Sequence, residues 1–416
     1  MFFIISLYFI TLFIAPQLWL EPFIGLRTDY IFFPIWFIYA FFKPTKFELK
    51  SQDVFLVLLF LWIIIGVFVN GENHKTSLNL VNYTRFILIY FLVRKTVVRY
   101  EDVKLIIKLM LFFIGLLVIE GIQHKLSPDG LGWAGQTLGW VDRSVLEAGG
   151  SGRTRWVNIF DGPGVFCVVY TLALPFLMRY LDAAYHTKTK VYAVVVMLPL
   201  LLAIYYTGSR GGLLAALAMI SLYIAIRNRI SVSKIVGVGG VIMLILLAAP
   251  SHLTQVKDEN NSAQQRVDLW MEGIEMLQQN PVFGIGRGAF DVYTGKIVAH
   301  NSAIEIMGEL GFVGLFLWGG FVYLALKSVF VINKTIDDPY VLSLNRAIGI
   351  AVFGMIVSSM FVTLEYETFY FLMALPVVLA VSFNIKVGFT RTDAKYLLIL
   401  CLSWVFLLKV FVSLYY

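Results

Sequence analysis

Long apolar runs separated by short polar breaks dominate the chain. A helix rises about 1.5 Å per residue, so crossing a hydrocarbon core takes about 20 mostly apolar residues. Runs near that length lie at 2–20, 28–42, 54–70, 80–93, 105–122, 159–180, 191–206, 212–226, 236–250, 303–326, 345–363, 369–385 and 396–414. They predict an all-α polytopic membrane protein of about 12–13 transmembrane helices, a single integral membrane domain over 1–416. One segment departs from the pattern. Residues 263–279 place Val267, Trp270, Met271, Ile274 and Leu277 at three- and four-residue spacing, which predicts a helix apolar on one face, ended by Asn280 and Pro281. No short repeat is visible, and no inverted duplication of the kind many transporters carry.

Composition agrees with the pattern. Of 416 residues, 59% are hydrophobic and 14% charged, and the mean hydropathy is +0.81. Soluble domains average about 45–50% apolar and about 25% charged residues. So little polar surface cannot clothe a water-soluble globule, which excludes a soluble enzyme, a disordered chain and a disulfide scaffold. Cys167 and Cys401 both lie inside apolar stretches and read as small buried hydrophobes. The N-terminus is apolar from Phe2, with no basic residue before Arg27 and no small-residue cleavage site, so the first run is expected to stay as a span.

The net charge of +7 takes its meaning from where the charges fall. Every second loop is basic: Lys43, Lys46 and Lys50, then Arg94, Lys95, Arg99 and Lys104, then Arg179, Lys188 and Lys190. The alternation continues through Arg227, Arg229 and Lys234, then Lys327, Lys334 and Arg346, then Lys386, Arg391 and Lys395. Basic loops stay cytoplasmic, so these loops and the N-terminus are expected inside. The charge orients the chain in a bilayer and calls for no nucleic acid.

On the other face two long segments stand out, 123–158 and 251–302, and long loops in compact proteins tend to be functional. The first is rich in Gly and Trp; the second holds the amphipathic helix. Basic residues occur here against the trend. Arg210 sits in Thr207-Gly208-Ser209-Arg210-Gly211-Gly212, a tight break between two apolar helices at the outer boundary. A guanidinium there calls for an anionic partner, and its fork matches phosphate oxygens bidentately. The alternative is interfacial snorkelling or a pair with an outer carboxylate. Arg266 lies on the amphipathic helix, either functional or simply solvated and paired with Asp268 or Glu259.

His300 and Asn301 close the second loop at the start of the next span, with Glu305 and Glu309 following at four-residue spacing on one face. An imidazole titrates near neutrality and can take a proton from an attacking hydroxyl. The plainer reading is an Asn cap beside an interfacial His. His74, His124, His186 and His252 lie in loops without a recognisable setting. Gly284-Ile285-Gly286-Arg287-Gly288 has the look of a phosphate loop, but no strand–helix unit surrounds it and a tight turn fits better. No metal-spaced His pair and no Walker-type lysine loop appears, so neither metal nor nucleotide is expected.

Taken in order, these motifs resemble a known family. Thr207–Gly212 is followed by Arg266 with Trp270, then Asn280-Pro281 with Gly284, Gly286 and Gly288. His300-Asn301-Ser302, Glu305 and Gly308-Glu309-Leu310-Gly311 come last. The set, over about 205–315, resembles the O-antigen ligase and polymerase superfamily of bacterial inner-membrane glycosyltransferases. Phe160-Asp161-Gly162-Pro163-Gly164 resembles an Asp-Pro-Asn element of that family only loosely and takes no role.

The resemblance implies a GT-C-like fold in the inner membrane with its active site facing the periplasm. It implies a donor glycan on undecaprenyl diphosphate and an acceptor glycan or glycolipid. It further implies Arg210 and Arg266 as diphosphate ligands and His300 as base, with Ser209, Asn301, Arg287, Arg155 and Glu309 as substrate-binding candidates. Two arginines would neutralise charge growing on the departing diphosphate while His300 takes the acceptor's proton, giving inversion in one step. Polymerase and ligase share this chemistry and differ in acceptor, with lipid A–core as the ligase's. A transporter or flippase of lipid-linked oligosaccharide is the reading from another class. It predicts charges near the bilayer midplane and half-helix pairs in both halves, whereas the telling charges here gather at one face.

Overall fold

The computed structural model describes residues 1–73, 75–127, 153–154, 162–230, 262–295, 298–364 and 366–415, and every regular element among them is a helix. In chain order these are α1 Phe2–Ile14, α2 Asp29–Phe42, α3 Ser51–Asn70, α4 Thr76–Thr96, α5 Tyr100–Leu126, α6 Pro163–Met178 and α7 Thr187–Tyr206. They continue as α8 Arg210–Arg227, α9 Ser262–Gln279, α10 Phe290–Thr294, α11 Ser302–Thr335, α12 Pro339–Ser359, α13 Glu367–Ser382 and α14 Arg391–Tyr415. Among the described residues nine helices are long and apolar enough to cross a membrane, and α1, α2 and α13 are shorter apolar helices. Each expected span thus meets a helix, except 236–250, which lies outside the described residues.

The ends shift for identifiable reasons. α3 and α5 begin in polar sequence because Asp53 and Asp102 accept from the backbone N–H groups of Lys50 (2.8 Å) and Arg99 (3.2 Å), satisfying donors that open each helix. α1 stops at Ile14, short of the expected 20, where Ala15 turns left-handed (φ 49°) ahead of Pro16. α6 starts at Pro163 rather than 159, a first-turn position at which the missing N–H costs no hydrogen bond. His124 is a correction: it lies in the last turn of α5 and is buried, not in a loop.

The chain divides into two compact units. One comprises Met1–Pro44, Arg99–Lys257 and Ile336–Ser358; the other comprises Thr45–Val98, Asp258–Thr335 and Ser359–Tyr416. In the first, α6 is the core helix, buried from Val165 to Met178. Lipid tails are as apolar as leucine, so helices associate in a membrane by close packing and internal hydrogen bonds. Tyr170 of α6 accordingly donates to the Leu117 carbonyl of α5 at 2.9 Å. A methyl at Gly121 would lie 2.4 Å from the Tyr170 hydroxyl, so this contact requires the glycine.

In the second unit α11 and α13 form the core, with Phe86 stacked on Tyr370 (centroids 4.9 Å apart) and Trp318 on Phe369 (6.1 Å). A buried carboxylate, Asp53, receives Arg94 through Nε and Nη2 at 3.0 and 2.9 Å and the Tyr90 hydroxyl at 2.7 Å. With the Lys50 N–H, four donors meet on this one carboxylate, which makes a buried charge tolerable away from water.

Candidate functional site

In the first unit, interest centres on the break between α7 and α8. Gly208 takes a positive φ of 60°, which a side chain would strain, and the chain turns there over the three residues Thr207–Ser209. Ser209 caps α8, its hydroxyl accepting from Gly212 N at 3.1 Å. Arg210 is therefore the first residue of α8 and is exposed. The positive end of a helix dipole and a guanidinium coincide at this point, a combination that attracts anions.

Two further cations of the same unit border the break. Thr154 N donates to the Tyr206 carbonyl at 3.1 Å, and the Arg153 side chain lies against Gly208. Lys125 Nζ sits 6.0 Å from the centre of the Tyr206 ring. Arg155, expected among the substrate contacts, lies outside the described residues, as do most of 123–158, Asp161 and the first part of 251–302.

The second unit holds Arg266, Arg287, His300, Asn301 and Glu309. The amphipathic helix forms as expected: α9 runs from Ser262 to Gln279, burying Val267, Leu269, Ile274, Met276 and Leu277. It packs on the start of α11 through small residues, since a methyl at Gly273 would lie 2.5 Å from Ile304 and one at Gly308 2.9 Å from Met276. One turn after Arg266, Trp270 donates its indole N–H to the Ala299 carbonyl at 3.2 Å.

His300 itself is held left-handed (φ 51°), an uncommon conformation for a residue with a side chain and one that recurs at functional sites. Burial, then the nearby charge of Arg266, holds its imidazole below the usual pKa of 6.5. It is thus kept in the neutral, proton-accepting form. Asn301 is buried and caps α11: its Oδ1 accepts from Ala303 N (3.1 Å) and Ile304 N (3.3 Å), and its Nδ2 donates to the Met360 carbonyl (3.4 Å). Ser302 adds two bonds to the same strap, donating to Val362 O (3.4 Å) and accepting from Leu364 N (2.8 Å).

Arg287 and Glu309 are brought together, with each other as partners. Both are buried, and Nη1 of Arg287 bonds Glu309 and, at 3.4 Å, Glu305. The second oxygen of each carboxylate is also used, Glu309 accepting from Phe290 N at 2.9 Å and Glu305 from the Thr363 hydroxyl at 2.7 Å. The Tyr83 ring lies 5.5 Å from the guanidinium carbon. Burial opposes the charge on Arg287, but Glu309, Tyr83 and Glu305 outweigh it and hold the pKa above the ordinary arginine value.

The glycine-rich stretch is a tight turn, and its purpose lies in α11. Gly311 (φ 69°, ψ −168°) breaks that helix into 302–310 and a longer continuation. The break frees three carbonyls, and each receives a donor: Gly308 from Ile285 N (3.1 Å), Glu309 from Gly286 N (2.9 Å) and Leu310 from the Trp62 indole (3.0 Å). Phe312 N in turn bonds the Pro281 carbonyl at 2.8 Å. The turn must run this close, since a methyl at Gly284 would lie 2.3 Å from the Glu309 backbone. Sequence reasoning paired Glu305 with Glu309 but missed Trp62 and Tyr83, which come from other helices, and Thr363, from the connection after α12; none carries a motif.

Residues 194–319 match the family model described as O-antigen ligase. The matched stretch contains Ser209, Arg210, Arg266, Arg287, His300, Asn301 and Glu309, and it supports the O-antigen ligase and polymerase superfamily read from the motifs. No protein of curated function matches the sequence.

Proposed function

We propose that this chain, whose residues 194–319 carry the O-antigen ligase match, is a glycosyltransferase that moves a glycan from undecaprenyl diphosphate to an acceptor sugar hydroxyl. It works at the periplasmic face of a bacterial inner membrane, and the reading favoured by us is an O-antigen or exopolysaccharide polymerase. The observation that carries it is His300, held left-handed at the end of the loop, with burial and the nearby Arg266 both favouring its neutral form.

In the reaction the acceptor oxygen attacks the anomeric carbon as its proton passes to His300. The bond from that carbon to the diphosphate oxygen breaks, and the electron pair leaves with the diphosphate. Attack opposite the leaving group inverts the centre. Arg266 takes charge that grows on the diphosphate, the place where fixed cations act most strongly on a rate, and Arg210 is proposed in its own right as a diphosphate ligand. Because the donor is already activated, the step draws on neither nucleotide nor metal.

The description of the matching family favours a second reading, transfer to lipid A–core as a ligase. Purified protein in detergent, supplied with a lipid-diphosphate oligosaccharide and either lipid A–core or a second lipid-linked unit, separates the two. Release of undecaprenyl diphosphate that disappears in His300→Ala supports the transferase, and the acceptor that sustains it names the reaction. Glycolipid binding without release under both acceptors would instead indicate transport.

A further inference from the structure

The buried Arg287 cluster calls for a role that substrate contact does not supply. His300 stands at the head of a helical segment only nine residues long, 302–310, cut from the rest of α11 by Gly311. So short a helix is marginal alone, and its position depends on tertiary ties. The hydrogen bonds of Asn301 and Ser302 hold its first turn, and the turn at 284–286 with Trp62 holds its last carbonyls. Between those ends, Glu305 and Glu309 lie one helical turn apart on the same face, and one guanidinium spans both.

We propose that Arg287 is a positioning residue, clamping the 302–310 segment through Glu305 and Glu309 so that His300 is presented in one fixed orientation. This rests on the reading of His300 as the proton acceptor. Three observations favour a clamp over a ligand. All three charged groups are buried, and the guanidinium bonds the two carboxylates from Nη1 within the protein interior. The second oxygen of each carboxylate is bonded by a partner from elsewhere, Thr363 and Phe290 N, so the cluster also ties the 360–364 strap and α10 to the segment. The Tyr83 ring lies 5.5 Å from the guanidinium carbon, so an aromatic face flanks the cation as well as the two carboxylates. Buried ion pairs of this kind act best as specifiers of register.

The test compares wild type, Arg287→Lys and the charge-balanced pair Arg287→Met with Glu309→Gln. Lysine keeps the charge but replaces the planar guanidinium with a compact ammonium on a different stem, so it cannot reproduce the position of Nη1 between the two carboxylates and the Tyr83 ring. A displaced base lowers turnover, and misplacement near 1 Å costs roughly 10²-fold. The expected result is that loss in kcat for Arg287→Lys, with KM for the lipid-linked donor changed by less than about twofold. The balanced double variant should recover thermal stability yet remain slow. A rise in KM with kcat retained would show direct substrate contact and overturn the clamp, as would a double variant whose turnover returns with its stability. Deuterium exchange at the His300 ring C2, read by mass spectrometry, needs no turnover. It should quicken in Arg287→Lys and the double variant, and an unchanged rate overturns the clamp. If His300→Ala keeps full activity, the proposed function falls while the exchange still decides the clamp.

Discussion

The indole N–H of Trp270 bonds the carbonyl of Ala299 at 3.2 Å, so the helix that carries Arg266 also holds the residue before His300. Base and diphosphate-binding candidate are thereby coupled through one hydrogen bond. Trp270→Phe keeps a ring near Phe411, now 5.9 Å away between centroids, and removes only the donor. Such a bond is worth about 1 kcal/mol, so transfer should slow roughly fivefold in a single-turnover assay. A variant that melts earlier but turns over at the wild-type rate would show that this bond serves only stability.

His300 sets the pH dependence. Its pKa is held below 6.5 by burial and by Arg266, so the active neutral form prevails at neutral pH and activity should fall only on the acid side. Arg266→Gln removes one of the two causes, so the acid limb of kcat should move to higher pH. Arg266→Lys should leave it in place. Because the folded pKa lies below the unfolded one, the unfolded chain binds more protons below pH 6.5. The His300 contribution to stability is therefore fully present above that pH and is lost as the pH falls from it through the lower folded pKa. Rate profiles between about pH 5 and 8 bracket this titration, and an acid limb that stays put in Arg266→Gln would rule out the coupling.

Arg210 opens α8 with an exposed side chain. Arg210→Lys keeps the charge and loses the fork, and loss of one preorganised donor to a developing anion costs about 10²-fold. The expected outcome is a fall of that size in kcat/KM, with EDTA leaving the wild-type rate unchanged. Full activity in the lysine variant would argue against bidentate diphosphate binding; EDTA inhibition reversed by magnesium would overturn the metal-free mechanism.

What was legible in the sequence follows from how local each cause is. Membrane thickness imposes a length on apolar runs, so the spans could be read directly, and the 3.6 period alone placed α9 with its stop at Asn280-Pro281. The break at Gly311 could not be read this way, because 303–326 is apolar enough to pass as one span and the glycine's left-handed turn leaves no trace in hydropathy. Arg287 was expected to face substrate because its carboxylate partners lie 18 and 22 residues further on, and only folding brings them to it. Asn301 shows the reverse: the plain expectation of a helix cap stands in the hydrogen bonds it makes.

The glycine after Arg210's neighbour gives a prediction that requires no assay of activity. Gly212 is the residue that donates to the Ser209 cap, and it packs against α6 so closely that a methyl there would lie 2.1 Å from Cys167 Sγ and 2.8 Å from Cys167 Cβ. Real contacts of that kind do not occur, so Gly212→Ala must push α8 off α6 or distort the capped turn that starts at Arg210. Overpacking of this type costs about 1–3 kcal/mol, and thermal unfolding in detergent should show it. Cys167→Ala removes the sulfur but leaves its Cβ, so the double variant should recover part of the loss and no more. Cys167→Gly would remove both atoms but adds helix-interior flexibility, costing about 1 kcal/mol, and so should not do better. Losses that simply add in Gly212→Ala with Cys167→Ala would mean that the two residues do not share this contact.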